Sequence, residues 1–440
     1  MPGSSTLTCG SPTETWRECP RCGLFSVLPE MRPGLVADCP RCHYTLWSMR
    51  HVPFEFPLAC GLAALMFYIF ALLAPFLEIS VYGRFQLAYL DTGPWRLSQQ
   101  NFTTVGLLVL AVTIIFPGIK LGIMLVTLVG LRTRAVPPRL LKRIFRFHET
   151  VTPWAMVDVY LLGFLVAYTR LAAIATVHLD NALYLLIGLM VSMAAADAAL
   201  DKEAVWRALH EADHSSAPQN PLPQPGAHQD LTCIGCHACG MVNQAQPGAR
   251  CRRCHEILHH RKPYSISRSW ALMIAAAFLY MPANLYPVML ITQLANSHPF
   301  TIMGGIIELG DYGLWPLALL VFFASIFIPL AKLLSLAYML ILTQTGSDSR
   351  LIGRTQAFKI VEFIGRWSMI DVFMISILVA LVHFGQIAYV RAELGAACFA
   401  AVVVLTMFAV SAFDPRLMWD AAEMPQIPAP HTRDLESGAP

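Results

Sequence analysis

Residues 104–131 read TVGLLVLAVTIIFPGIKLGIMLVTLVGL. Only Lys120 is charged in this run, and it follows Pro117 by three positions. A membrane helix needs roughly 20 mostly apolar residues, so the stretch predicts a span with a cation inside it. Pro329 and Lys332 repeat the signature 212 positions later, in IPLAK at 328–332, again within an apolar run. The same offset relates Cys39 and Cys42 to Cys251 and Cys254, Tyr68 to Tyr280, and Pro75 to Pro287. At 213, Glu149, Trp154, Asp158 and Asp201 match Glu362, Trp367, Asp371 and Asp414. Cys19 and Cys22 match Cys236 and Cys239 at 217, because the loop inside the second cysteine cluster is five residues shorter. One register from the first cysteines to the last apolar run marks two copies of one module, a cysteine clasp followed by a membrane block.

Composition agrees with that reading. Of 440 residues, 56% are hydrophobic and 13% charged, against about 25% charged in soluble proteins. Mean hydropathy is +0.55. The pattern predicts an all-α polytopic membrane protein with eight transmembrane helices in two parallel four-helix repeats. The expected spans are 57–79, 104–131, 154–177 and 182–200, then 270–291, 313–342, 367–390 and 395–413. Pro75, Pro117, Pro287 and Pro329 fall inside these windows, where kinks are expected. A net charge of +3 is too small to argue for nucleic acid.

Positive residues in short loops set orientation. The loop at 131–150 holds Arg132, Arg134, Arg139, Lys142, Arg143 and Arg146, and its counterpart holds Arg350, Arg354 and Lys359. Loop 80–100 holds only Arg84 and Arg96, and loop 293–312 holds neither Lys nor Arg. No cleavable signal peptide precedes Phe54. Both termini and both clasps are therefore expected in the cytoplasm. The expected organisation is a tail at 1–14, a ribbon at 15–50, a four-span module at 54–210 and a Pro-rich linker at 211–230. Next come a second ribbon at 231–262, a second module at 266–415 and a disordered tail at 421–440.

Eight of the twelve cysteines form four C-x-x-C pairs. Cytoplasmic thiols stay reduced, which favours metal over disulfides. Cys19, Cys22, Cys39 and Cys42 have the spacing of a small zinc ribbon, rubredoxin-like in outline. The repeat register selects Cys236, Cys239, Cys251 and Cys254 for a second one. Each is expected to hold one zinc ion, a structural metal that suits four thiolates. His237 and His255 stand beside the second set as alternative ligands, and iron is the alternative metal, which would make the chain a membrane redox protein. No flavin, haem or quinone signature accompanies it. Cys233 is expected to be a spare thiol, Cys9 has no partner in the pattern, and Cys60 and Cys398 read as small core residues. A closed four-thiolate site leaves no open position for hydrolysis, so an enzyme is not expected.

Lys120 and Lys332 lie near the middle of their spans, where a lysine costs roughly 2.5–3.5 kcal/mol. The expected partners are Asp158 and Asp371, a turn inside the following spans. Such a pair either fixes helix register or carries function. The copies differ here: Ser368 stands where the first has Ala155, and Thr406 where it has Met193. The second module is thus expected to hold a proton-sensitive polar network of Lys332, Asp371, Ser368 and Thr406, with the first module more of a scaffold. Arg170 and His383 occupy equivalent positions near the far ends of their spans. They are expected to contact head groups or line an exit, with a satisfied helix residue the plainer reading for His383. Glu78 is expected to be interfacial. LLKRIFRFHET at 140–150 and TQAFKIVEFIGR at 355–366 read as amphipathic helices on an anionic leaflet, or as charged ends of long helices.

These motifs together resemble the paraquat-inducible protein A family. The residues that carry the resemblance are CPRC at 19–22 and 39–42, CHAC at 236–239, CRRC at 251–254, FPGIK at 116–120, IPLAK at 328–332, WAMVD at 154–158 and WSMID at 367–371. It extends over about residues 15–415. It implies a protein of the bacterial inner membrane that works with a periplasmic partner built from mammalian-cell-entry domains, whose rings stack into a hydrophobic tunnel. The implied task is loading or unloading phospholipids moving between inner and outer membranes, coupled to protons through the intramembrane polar network. A non-transporting scaffold for the tunnel is the other role it allows. No G-x-x-x-x-G-K-[ST] run is present, so nucleotide energy would need another subunit. The extra Cys233 and the missing hydroxyls of the first module depart from a symmetric two-site scheme.

Overall fold

The computed structural model describes residues 16–29, 31–81, 84–172, 176–213, 232–293, 296–311, 313–382, 388–422 and 431–434. The expected tail at 1–14 and most of the linker lie outside them.

The chain opens with two antiparallel pairs, β1 (Trp16–Glu18) with β2 (Phe25–Val27) and β3 (Leu35–Asp38) with β4 (Thr45–Ser48), each closing on one cysteine knuckle. The first module comes next: α1 (Glu55–Leu73), β5 (Leu77–Val81), β6 (Arg84–Ala88), α2 (Thr92–Gln99), α3 (Thr103–Leu110), α4 (Phe116–Thr133), α5 (Pro138–Val151), α6 (Val157–Ala172), β7 (Thr176–Leu179), α7 (Asn181–Ala199) and α8 (Lys202–Asp213). The second ribbon carries β8 (Thr232–Gly235) and β9 (Val242–Ala245). The second module repeats the order: α9 (Ser265–Leu285), β10 (Met289–Gln293), β11 (Asn296–Phe300), α10 (Ile302–Asp311), α11 (Trp315–Phe322), α12 (Ile328–Gln344), α13 (Leu351–Ile364), α14 (Ile370–Leu381), β12 (Ala388–Ala392), α15 (Leu394–Ala412) and α16 (Leu417–Asp420). Among the described residues, eight helical segments are long and apolar enough to cross a membrane, four in each module.

The fold departs from the expected spans at the end away from the ribbons. The first span of each module stops early, at Leu73 and Leu285, because the residue before a proline is pushed out of the helical region. Ala74 and Tyr286 stand before Pro75 and Pro287 with ψ of 144° and 150°. These prolines end helices instead of kinking them. Beyond each proline the chain forms a hairpin, not a loop, and a third strand joins it. The result is a pair of three-stranded antiparallel sheets ordered β6-β5-β7 and β11-β10-β12. The third strands take up residues expected to extend the third spans to 177 and 390. The basic segments 140–150 and 355–366 form α5 and most of α13. Each is set off from the next helix by a short 3-10 turn, at Thr152–Trp154 and Gly365–Met369. On α5, Leu141 and Phe145 face inward while Leu140, Arg143 and Phe147 are exposed. Within the tail expected to be disordered, β13 (His431–Asp434) pairs with β3.

The modules meet along their third spans. Every residue of α14 is buried, the reverse of the lipid-facing pattern of α1. Gly163 on α6 allows the contact: a Cβ there would lie 2.9 Å from the Cβ of Phe373 and 3.1 Å from the Ile370 carbonyl. Tyr160 stacks edge-on against Phe373, with centroids 5.5 Å apart.

Candidate functional site

The four cysteines of each ribbon converge. Cys19, Cys22, Cys39 and Cys42 form one buried group, and Cys236, Cys239, Cys251 and Cys254 the other, with all Sγ atoms of a group within 4.8 Å of one another. Sγ separations of 3.5 Å for Cys19–Cys42 and Cys22–Cys39, and 3.4 and 3.5 Å for Cys236–Cys254 and Cys239–Cys251, approach the edge of about 3.8 Å of a tetrahedron at zinc–thiolate bond length. Four soft donors with tetrahedral spacing fit a zinc or iron ion. Hydrogen bonds from neighbouring thiols hold Cys39 and Cys251 well below the ordinary thiol range. The same crowding pushes Cys19 and Cys239 up. A bound cation would remove that conflict by favouring four thiolates.

The histidines beside the ligands have other tasks. His255 takes the left-handed position that closes its knuckle, at φ 60°, as His43 and Gly240 do in theirs at 56° and 70°. Its amide donates to the Cys251 carbonyl at 3.0 Å. His237 Nε2 lies 2.8 Å from Arg416 Nη2, and since a guanidinium only donates, Nε2 accepts. Cys233 is not among the free cysteines, so it is not the spare thiol expected.

The ribbons touch each other and both modules through buried charge. Glu18, next to Cys19, accepts from the Gly235 amide at 2.9 Å, from Arg416 at 2.8 Å and from Arg261 at 2.9 Å. Burial pushes its carboxyl up against the opposing pull of these arginines. Arg416 also grips Asp414 at 2.8 Å. Glu203 on α8 collects Arg17, Arg253 at 2.9 Å and Arg207 at 3.2 Å. The repeat-matched pair Asp201 and Asp414 shows the same logic at the ends of α7 and α15. Asp201 accepts from Trp47 of the first ribbon at 3.3 Å, and Asp414 from the Lys262 amide after the second at 3.1 Å.

Inside the membrane block, both buried lysines follow a local widening of their helix. A proline lacks an N–H and its ring collides with the carbonyl four residues back. Residues Ala111–Ile115 and Phe323–Phe327 wind as a π turn just before Pro117 and Pro329, which relieves that collision. The carbonyl three residues before each proline accepts a tyrosine hydroxyl from the first span of the same module. Tyr68 reaches Ile114 at 2.8 Å, and Tyr280 reaches Ile326 at 3.2 Å. Thr113 and Ser325 each donate back to the carbonyl four residues earlier, at 2.7 Å.

One turn later the copies diverge. Lys332 is 3% exposed; its ammonium donates to Thr406 Oγ1 at 2.8 Å and to the Gly365 carbonyl at 3.3 Å. Thr406 in turn donates to the Val403 carbonyl at 2.9 Å. Gly365 is needed for this approach, because a Cβ there would stand 3.3 Å from Lys332 Cε. Ser368 is buried nearby, its hydroxyl without a hydrogen-bond partner among the described residues. Asp371 is buried but lines a separate small cavity with Val288, Thr301, Val321 and Phe399. Phe399 precedes Thr406 by seven residues, about 10 Å along a helix, so Asp371 and Lys332 sit at different depths.

In the first module, Lys120 is 5% exposed and pairs with Asp197 of α7. The expected partner Asp158 instead lies exposed on α6. Residue 158 lies in the first turn of α6, beyond the 3-10 turn, whereas Asp197 near the end of α7 reaches the lysine. Asp197 has no acidic counterpart, since Val410 occupies its place. Met193 fills the position of Thr406 and Thr152 that of Gly365. His383 and the side chains of Arg170 and Glu78 lie outside the described residues.

The sequence profile of the paraquat-inducible protein A family matches residues 54–210 and again 266–423. The chain belongs to the paraquat-inducible protein A family. The double match to this family falls on the two membrane modules and leaves out both ribbons. The chain is 32% identical over 410 residues to the intermembrane transport protein PqiA of Escherichia coli K12, covering 91% of this chain and 95% of that one. It is 29% identical over 412 residues to the lipophilic envelope-spanning tunnel protein A of the same organism, at 94% and 93% coverage. Identity to a probable intermembrane transport protein of Haemophilus influenzae is 26% over 411 residues, at 91% and 94% coverage. No solved structure matches the chain.

Proposed function

We propose that this protein is the inner-membrane component of a system that moves phospholipids between the inner and outer membranes. Membership of a family whose relatives are named intermembrane transport and envelope-spanning tunnel proteins supports the reading. The observation that carries the mechanism is the buried Lys332 ammonium held by Thr406 and the Gly365 carbonyl. A charge at that depth is costly and persists where function requires it. In this reading Lys332 and Thr406 form the core of the proton-linked element, with Ser368 buried nearby and Asp371 acting from its own cavity at another depth. Protonation and deprotonation along them shift the packing of α12, α14 and α15, and the strain passes along α14 to the first module. The Lys120–Asp197 pair steadies that module, and Asp158 takes no part in it.

The ribbon end faces the cytoplasm, with both termini there, consistent with the arginines of the 131–150 loop. Each ribbon holds one zinc ion, whose task is to fix the knuckles so that Glu18, Arg17 and Arg416 reach both modules. The sheets then face the periplasm, where a partner built from mammalian-cell-entry domains receives the lipid.

Purified protein should carry bound phospholipid by mass spectrometry. Lys332→Ala or Asp371→Ala should abolish complementation of a deletion strain while leaving membrane levels intact. Full complementation by both variants contradicts the mechanism.

A further inference from the structure

A cavity of about 570 Å³ lies between the two ribbons and the ribbon-side end of the first module, with Trp47, Ser48, Asp201 and Trp206 in its wall. The wall also includes Asp197, the carboxylate paired with buried Lys120. Asp201 is 4% exposed. One of its oxygens accepts from Trp47 and from the Ala204 amide, at 3.3 and 3.0 Å. The other, and the Ser48 hydroxyl, are buried without a partner among the described residues. Unmet polar groups beside a roomy polar cavity are met by water.

The charges around Asp197 identify water, not an ion, as the occupant. Lys120 pairs with it from α4, and the wall adds Glu149 from α5, Lys202, Glu203 and Asp201 from α8 and the turn before it, Arg17, Glu18 and Arg50 from the first ribbon, and Arg416 from the chain after α15; Tyr44, Cys236, His237 and Cys239 are its further titratable groups. Four cations and five carboxylates line the wall, and Lys120 behind Asp197 brings the count to five of each, so the site selects neither an anion nor a cation. The second module lacks this arrangement, because Val410 replaces Asp197 and Lys332 is bonded inside the protein.

We propose that this cavity is a water-filled vestibule through which the Lys120–Asp197 pair exchanges protons with solvent on the ribbon side. A proton from cavity water joins the Asp197 carboxylate and breaks the ion pair. Its return to water restores the pair. The proposal goes beyond lipid transport and holds whatever the protein carries.

The test uses the full-length chain in sealed membrane vesicles of both orientations and a small, membrane-impermeant cationic methanethiosulfonate. Asp197→Cys should react from the ribbon side only, about tenfold faster than Val410→Cys, since thiol reactivity follows exposure. Wild-type labelling sets the background. Ser48→Trp, which narrows the cavity, should slow Asp197→Cys labelling. Ala198→Cys, in the same wall, carries the same prediction if Asp197→Cys fails to fold. No labelling at 197 or 198, labelling from the opposite side, or indifference to Ser48→Trp overturns the proposal.

Discussion

Tyr280 donates its hydroxyl to the carbonyl of Ile326, three residues before Pro329. Tyr68 does the same to Ile114 ahead of Pro117. The bond ties the first span of each module to the π turn that aims the lysine. Tyr280→Phe is expected to destabilise the second module by about 1–3 kcal/mol, the range for a buried group left unbonded. Thermal unfolding of the purified protein checks this. Combining it with Pro329→Ala, which lets the helix close normally, should recover most of the loss. No recovery in the double variant would show that tyrosine and proline are not coupled.

Gly365→Ala places a Cβ 3.3 Å from Lys332 Cε. The lysine must withdraw from the Gly365 carbonyl, so complementation should fall severalfold while membrane levels hold. Gly353→Ala, whose added Cβ meets only an ordinary contact at 3.9 Å, should behave as wild type. Equal effects of the two would argue for general helix stiffening instead.

Asp414 is the acid-sensitive anchor of the second ribbon. Burial alone would raise its pKa, but hydrogen bonds and charge from Arg416, with the Lys262 and Arg416 amides, hold it below the ordinary carboxylate range. Its stabilisation is therefore present above the unfolded carboxylate pKa of about 3.9. It is lost as pH falls through the lower folded value. Asp414→Asn should cost about 3–5 kcal/mol near neutrality, as for breaking a buried pair. It should also remove this part of the acid dependence of unfolding, measured from pH 7 down to 3.

Metal content should be two ions per chain by elemental analysis, and Cys39→Ser should lower it to one. Because Glu18 beside the first site accepts from the Gly235 amide beside the second, Cys39→Ser should also raise amide exchange in β8 and β9. Unchanged exchange there would mean the ribbons stand independently.

Much of this architecture was legible in the sequence because it rests on spacing. Knuckle spacing placed all eight cysteines, and the 212-residue register located both modules and the lysines. Three things were hidden for physical reasons. The sheets were missed because the apolar residues Leu77, Ile79 and Val81, and Met289, Leu290 and Ile291, carry on the hydrophobic run of the spans they follow, although Pro75 and Pro287 marked the break. Asp197 was missed because the repeat guided the search, and its counterpart is Val410; a lone acid in an apolar span was the available signal. The roles of Glu18 and Arg416 depend on contact between ribbons 217 residues apart in sequence, which no local pattern encodes. Tyr68 and Tyr280 were visible as matched residues, but their purpose emerges only with the π turns.

The central claim is that the buried ammonium of Lys332 drives lipid movement. Transfer of labelled phospholipid by the reconstituted protein and the proposed periplasmic tunnel partner, with and without a proton gradient, tests it most directly when wild type is compared with Lys332→Met. The account predicts gradient-dependent transfer in wild type and loss of that dependence in Lys332→Met, with the variant still folded and still binding the proposed partner. Gradient-stimulated transfer at the wild-type rate in Lys332→Met would contradict it.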